Sequence, residues 1–473
     1  MTKKNAPVKM ERAFLSKEIN FLKFDSEPEK QTDPMPDEYL SDRIRSQKPW
    51  MEDFTDRLEK SDIPGSAFVC AVVNLPLGTA PLAIPPVDPA ADSDQEQTRE
   101  KGQVPDGLPD LGPDQGLIQR IDHRYIVLAL WNQDQLDPIL SRIRESCCSG
   151  AESDPIVGTA VFPFMDFSRK ETFYNAVKAV DHAAFLGPGS KAAFGDISLN
   201  ISGDRLYQLG FMDEAALEYQ RGISINPDNI NLINSLGVCH AMNNDSEQAK
   251  KTFETALLKD PMEVMVVYNL GLVCNILDQG EQALLYLEKA SRIDSSIFEI
   301  ELTTGSLHLK EGRLHAALPH LTRAKKLNTC AALPYRLLGE YYLGSEKIPG
   351  PMEKSPIKKA IVEFKQAVKL NPMDAVSLSG LAHAFYLTNK NLQIAITLAE
   401  ESIRIDPDTP LFHSRLGNLY LETGQKELAQ RAFAMAEKIP GAIPSLFQNT
   451  QTLPREEALS MTMTRKTNKK RIA

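Results

Sequence analysis

The sequence predicts an α+β multidomain chain, in which an N-terminal α/β domain precedes an all-α superhelix of seven helix-turn-helix units. Two observations carry that prediction. Before Gly187, three short runs rich in β-branched and aromatic residues, "AFVCAVVN", "RYIVLAL" and "IVGTAVF", alternate with longer amphipathic stretches, which is how strands interleaved with helices read. Beyond it, Leu236-Gly237, Ala249, Phe253 and Ala256 are echoed by Leu270-Gly271, Ala283, Leu287 and Ala290 at a constant offset of 34. A period of that size marks stacked helical hairpins.

Taken in order, residues 1–38 are expected to be a partly disordered extension: the opening "MTKKNAPVKMERAFLSKEINF" has basic residues and no apolar core of a leader peptide. The α/β domain is expected over 39–190. It opens with the helical stretch "YLSDRIRSQKPWMEDFTDRLEK", interrupted at Pro49. Ala67 to Asn74 forms the first strand, Arg124 to Leu130 the second and Ile156 to Phe162 the third, with "QLDPILSRIRE" and "KETFYNAVKAVDHAAF" as helices after the second and third. Residues 81–116 hold seven prolines and more acids than bases, so a flexible acidic loop is expected there. "GPGS", Gly187 to Ser190, reads as a hinge into the repeats.

The repeats span 196–441. The signature runs back to Gly203, Ala215, Tyr219 and Gly222 and forward to Gly305, Ala317, Leu321 and Ala324, still in phase. Ala360 then falls 43 residues after Ala317 rather than 34, so nine residues have been inserted, within Gly344 to Lys354. Ala395 marks a sixth unit, and Leu416-Gly417, Ala429, Phe433 and Ala436 a seventh. Each unit reads as two short helices. Glycine at the Gly237 position and alanine at Ala249 allow close helix approach, with Phe253 filling the space beside them. One hairpin cannot bury its apolar face alone, whereas a stack can.

The tail, 442–473, ends basic and is expected to be solvated. A formal charge of -10 and a pI near 5.5 argue against nucleic acid as a partner. No run approaches the ~18 apolar residues of a membrane helix. The six cysteines have no zinc spacing and read as free thiols, Cys239 and Cys274 within apolar stretches, so a reducing cytoplasm is the expected location. No phosphate loop, nucleophile elbow or dinucleotide turn occurs.

The 34-residue pattern of Leu-Gly, Tyr, Ala, Phe, Ala and Pro resembles the tetratricopeptide repeat family over about half the chain; a related short-helix repeat would imply the same architecture. Departures are local, such as Ser295 and Thr329 in place of the closing proline. The resemblance implies an inner groove lined by the first helix of each unit and gripping a protein or peptide segment. Carried over, the inward positions are Asn200 and Asp204, Asn231 and Asn234, Tyr268, Asn269 and Asn275, Glu299 and Ser306, Arg336 and Glu340, and Ser414, Arg415 and Asn418. The asparagines could bond a peptide backbone and Arg336 or Arg415 a carboxylate. Tyr268 and Asn269 are expected to be open contacts, away from helix packing.

A second resemblance lies at Gly158, Ala160 and Pro163 followed by Ala176, Ala179, Ala183 and Gly187, which is similar to the closing segment of GGDEF diguanylate cyclase domains. That family holds two metal ions on an acid ending the first strand and an acid in its Gly-Gly-Asp-Glu-Phe hairpin. Here Asn74 stands in the first position, and "RIDHRY", with Asp122 and His123, stands in the second without the glycines or tandem acids. The resemblance therefore implies a degenerate domain, no catalytic residues, no metal and no cofactor. A non-enzymatic interaction scaffold is the leading expectation. The alternatives are a signalling receptor whose degenerate domain binds GTP or cyclic di-GMP, and a weak cyclase.

Overall fold

The computed structural model describes residues 39–41, 48–61, 67–76, 111–112, 114–121, 124–148, 154–345 and 356–439. The expected extension, most of the acidic loop, Asp122 and His123, most of the inserted segment and the basic tail lie outside the described residues. The chain divides into two compact units, 1–283 and 284–473.

The first unit opens with a five-stranded sheet. Its strands are β1 (Phe68–Asn74), β2 (Gly116–Arg120), β3 (Tyr125–Leu130), β4 (Ile156–Phe162) and β5 (Lys191–Ala193), in the order β2-β3-β1-β4-β5. Only the β4–β5 pair is parallel; β1 pairs antiparallel with both β3 and β4, and β2 with β3. The expected α/β domain is thus a mainly antiparallel sheet with helices on both faces. The three expected strands are present, and two short edge strands join them.

Alternation along β1 divides the core. Phe68, Cys70 and Val72 face helices α1 (Lys48–Lys60) and α3 (Arg169–Leu186), meeting Phe54, Leu58, Phe173 and Val177. Val69, Ala71 and Val73 face the other way, onto Ile139, Leu140 and Ile143 of α2 (Leu136–Cys147). Both faces being covered is why these runs are apolar throughout. Pro49 sits in the first turn of α1, where a proline's missing N–H costs nothing; the part of the expected helical stretch at 42–47 lies outside the described residues. Gly158 lets β4 lie against α3: a Cβ there would come 2.1 Å from the Val180 nitrogen.

The sheet continues past Ser190 into β5, so Gly187 to Ser190 is a turn inside the domain and the expected hinge is corrected. Next come α4 (Asp196–Leu209) and α5 (Met212–Ile225), α6 (Ile230–Met242) and α7 (Ser246–Lys259), and α8 (Val264–Ile276). The domain is clasped to the first repeat. Lys178 of α3 pairs with Glu218 of α5 at 2.7 Å, their side chains 9% and 12% exposed, while within the domain the Ser41 amide donates to Asp181 Oδ1 of α3 at 3.0 Å. Arg221 of α5 approaches Glu171 at 3.3 Å.

The division between units falls within α9 (Gly280–Ile293), and the second unit holds four further helix pairs: α10 (Phe298–Lys310) with α11 (Leu314–Leu327), α12 (Ala332–Ser345) with α13 (Pro356–Leu370), α14 (Ala375–Leu387) with α15 (Leu392–Ile405), and α16 (Pro410–Glu422) with α17 (Lys426–Lys438). The seven expected units are therefore seven consecutive helix pairs. Their packing follows the small-residue pattern: a Cβ on Gly237 of α6 would meet the Phe253 ring of α7 at 2.6 Å, and one on Gly417 the Phe433 ring at 2.5 Å. The described cysteines Cys70, Cys148, Cys239 and Cys274 are buried and Cys330 is exposed, all as free thiols; burial pushes the Cys239 thiol up to about 12.

Candidate protein-binding face

In the first unit the expected positions fall on α4, α6 and α8, and most are engaged with one another. Asn200 Nδ2 donates to Asp204 Oδ2 at 3.1 Å, and the Tyr219 hydroxyl of α5 donates to the other carboxylate oxygen at 2.7 Å. Burial, with the Asp204 charge second, holds the Tyr219 hydroxyl well above its usual pKa. Asn200 Oδ1 is buried and accepts no hydrogen bond from the described residues.

One layer on, Asn269 Nδ2 donates to Asn234 Oδ1 at 3.0 Å. Tyr268 is 1% exposed and Asn269 0%, which corrects the expectation of open contacts. The cause lies in their helix: in "VMVVYNLGLVCNI" every residue from Val266 to Cys274 is buried, and a helix apolar all round is enclosed on all sides. Asn234 is buried with them, Asn231 is exposed and Asn275 is partly buried.

The second unit differs, because there the charged positions converge. Arg336 Nη1 approaches Asp374 Oδ1 at 3.3 Å, and Arg415 Nη1 donates to Ser379 Oγ at 3.0 Å. Glu340 sits among them: burial pushes its carboxyl up and Asp374 adds to this, while Arg336 and Arg415 pull it down, and the net direction is up. Burial pushes the Arg415 guanidinium down to about 10, with Glu340 opposing. All of Arg336, Glu340 and Arg415 keep some exposed surface. Three successive first helices, α12, α14 and α16, thus bring two guanidiniums, two carboxylates and a hydroxyl to one face. Asn418 is partly buried on α16, and Ser414 is buried with its hydroxyl donating to the Pro410 carbonyl at 3.0 Å. Glu299 and Ser306, on α10, are partly buried.

Ser379 and Asp374 were not among the expected positions. The signal for Ser379 was present: it lies 43 residues after Arg336, the same enlarged step that the insertion imposes on Ala360. Asp374 carries a local one, since it caps α14 by accepting from the Val376 amide at 3.2 Å. In the sheet domain, Asn74 ends β1 opposite Tyr125, the first residue of β3. The end of the first strand and the β2–β3 hairpin therefore lie side by side. Asn74 is 4% exposed, and its Oδ1 accepts no hydrogen bond from the described residues.

No protein-family model matches the chain. Over 237 residues, 48% of its length, it is 22% identical to anaphase-promoting complex subunit 3 of Schizosaccharomyces pombe, of which it spans 33%. It is similar to the solved APC/C hetero-tetramer Cut9-Hcn1, at 17% identity and a TM-score of 0.42, over 58% of this chain and 52% of that one. A tetratricopeptide repeat protein from Parabacteroides merdae is 16% identical with a TM-score of 0.40, over 54% of this chain and 96% of that one. YrrB, described as a tetratricopeptide repeat protein with an unusual peptide-binding site, is 18% identical with a TM-score of 0.35, over 41% and 95%. The helical part of the chain is a run of consecutive helix pairs, and the chain spans about a third of the length of the curated relative it matches. No described helix is long and apolar enough to cross a membrane.

Proposed function

We propose that the chain is a non-enzymatic scaffold that holds a protein or peptide segment along the first helices of its repeats, joined to a catalytically degenerate cyclase-like domain, and that it works in the cytoplasm. The observation that carries the scaffold reading is the convergence of Arg336, Glu340, Ser379 and Arg415 from three successive first helices. Charges set inside a helical array cost solvation free energy, and apolar residues there would pack at least as well. An arrangement that keeps them partly open to solvent suits a ligand bringing its own carboxylates and backbone amides.

For the sheet domain, the reading rests on Asn74 at the mouth of the β2–β3 hairpin. An amide there brings no negative charge, whereas metal-assisted phosphoryl transfer needs ions held by carboxylates.

The scaffold reading is tested by capturing partners from the native cell with the full chain, then with Arg415→Gln and Asn418→Ala. A segment lying on this face loses about 2 kcal/mol of binding in the double variant, the scale of a central contact. Equal capture by both proteins would sink it. Incubation with GTP and magnesium or manganese should yield no cyclic dinucleotide above a blank.

A further inference from the structure

A cleft of about 400 Å³ opens in the first unit between the end of α5, α6 and α7, lined by Ile223, Pro227, Ile233, Leu236, Gln248, Lys251, Thr252, Thr255 and Lys259. It is separate from the face described above. On α6, Ile233 and Leu236 lie about 100° and 200° around the helix from Asn234, at 100° per residue. Its floor is aliphatic, made by Ile223, Pro227, Ile233 and Leu236. Its hydroxyls are already spent: Thr252 Oγ1 donates to the Gln248 carbonyl at 2.8 Å and Thr255 Oγ1 to the Lys251 carbonyl at 2.9 Å. The threonines thus have no proton left to give a peptide carbonyl, and an occupant is held chiefly by an apolar side chain on the aliphatic floor.

The rim has the opposite sign to the whole chain, whose formal charge is -10. Lys259 is partly neutralised by Asp228 at 2.7 Å. Lys251 is exposed and makes no ion pair with another described residue. Its neighbour Lys250 turns away, donating to Gln279 and Gln282 at 2.7 and 3.2 Å. Pro227, Gln248, Lys251 and Thr255 are exposed, so the cleft is open along one side. That opening suits a side chain offered by a passing segment.

We infer that this cleft is a second docking site, for an acidic segment of a partner protein that inserts one branched aliphatic side chain against Ile233 and Leu236 and sets neighbouring carboxylates on Lys251 and Lys259. Burial of the aliphatic group supplies the affinity, and the lysines select acidic sequence.

The test uses the full chain with isoleucine δ1-methyl labelling and a fluorescein-labelled Glu-Glu-Leu-Asp-Asp peptide. The peptide should raise anisotropy saturably, shift the Ile223 and Ile233 methyl signals, and weaken between 50 and 300 mM salt. Replacing its leucine by alanine should weaken binding about ten-fold. Lys251→Glu and Thr255→Trp, both at exposed positions, should each abolish it without lowering the melting temperature. Binding that survives Thr255→Trp, or that leaves both methyl signals in place, overturns the proposal. So does no binding at all. If the peptide binds only after residues 81–110 are exchanged for a Gly-Ser stretch, the chain's own acidic segment is the occupant and the partner reading falls. If the chain self-associates through this cleft, with Lys251→Glu dissolving the oligomer, a second copy takes the partner's place and the proposal falls likewise.

Discussion

Glu301 is fully enclosed, at 0% exposure, and it accepts from the Ser291 hydroxyl at 2.6 Å, His320 Nδ1 at 2.7 Å and Arg323 Nη1 at 2.8 Å. Burial alone would push its carboxyl up, but the hydrogen bonds from His320, Ser291 and Arg323 outweigh it and hold the pKa below the usual range. Beside it, His308 is 2% exposed and stacks on His320 at 5.7 Å; burial pushes its pKa down, with Glu288 opposing. Both shifts act in one direction. The unfolded chain takes up a proton on His308 below pH ~6.5, and on Glu301 below pH ~4.3, more readily than the folded chain does. Stability is therefore full at neutral pH and falls as pH drops through these windows. The melting temperature should decline from pH 7 to 5, and His308→Gln should lessen that first segment, to which His182 and His240, also pushed down by burial, contribute, while leaving the fall below pH ~4.5. A wild-type profile flat from pH 7 to 4 would refute this. At Asn269 the change to alanine strips the bond to Asn234 and should cost about 1–3 kcal/mol in denaturant unfolding, so any loss of partner capture in that variant reports the fold and not a lost contact.

At the scale of the element, the repeat depends on a close approach within the helix pair, made at Gly203, Gly237, Gly305, Gly339 and Gly417. Gly237→Ala places a methyl 2.6 Å from the Phe253 ring, and overpacking of this kind costs about 1–3 kcal/mol. Gly344 is the control, since its Cβ would meet nothing nearer than Leu314 Cδ1 at 3.8 Å; Gly344→Ala should match the wild type in melting temperature or exceed it. Equal melting temperatures for the two variants would remove the steric reading of the glycine. These positions were legible because the spacing itself names them: a small residue sixteen before a large one, Tyr219, Phe253, Leu287 and Leu321 in turn, repeated at 34, leaves few packings open. The edge strands were not. β2 has only its first residue buried and the central one alone is buried in the three-residue β5, so neither carries the apolar run by which β1, β3 and β4 announce themselves.

Across the molecule, the first unit joins the sheet domain to the repeats through side chains, with Lys178 and Glu218 enclosed between α3 and α5. Removing one partner of such a pair leaves the other charge uncompensated, at a cost of about 3 kcal/mol or more. Lys178→Met in the full chain should therefore raise hydrogen exchange in α3 and α5 together, while α14 to α17 of the second unit keep their protection. Exchange confined to α3 would mean that the domain and the first repeat open independently. A repeat fragment should accordingly start well before Asp196, because one cut at Ala192 severs β5 from β4.

The sequence by itself determined the seven helix pairs and the three central strands: the pairs follow from a period of 34 and the strands from short apolar runs rich in β-branched residues, while the inward register of Arg336, Glu340 and Arg415 is what the family resemblance implies. Only the tertiary structure decided which of those faces stay open. Tyr268 shares its register with Asn200 and Arg336, which keep some surface, yet it is enclosed, since burial depends on what neighbouring elements place opposite a side chain. The same holds for the cleft above Ile233 and Leu236, and for the clasp of Lys178 on Glu218, forty residues apart and in contact only because α3 and α5 pack together.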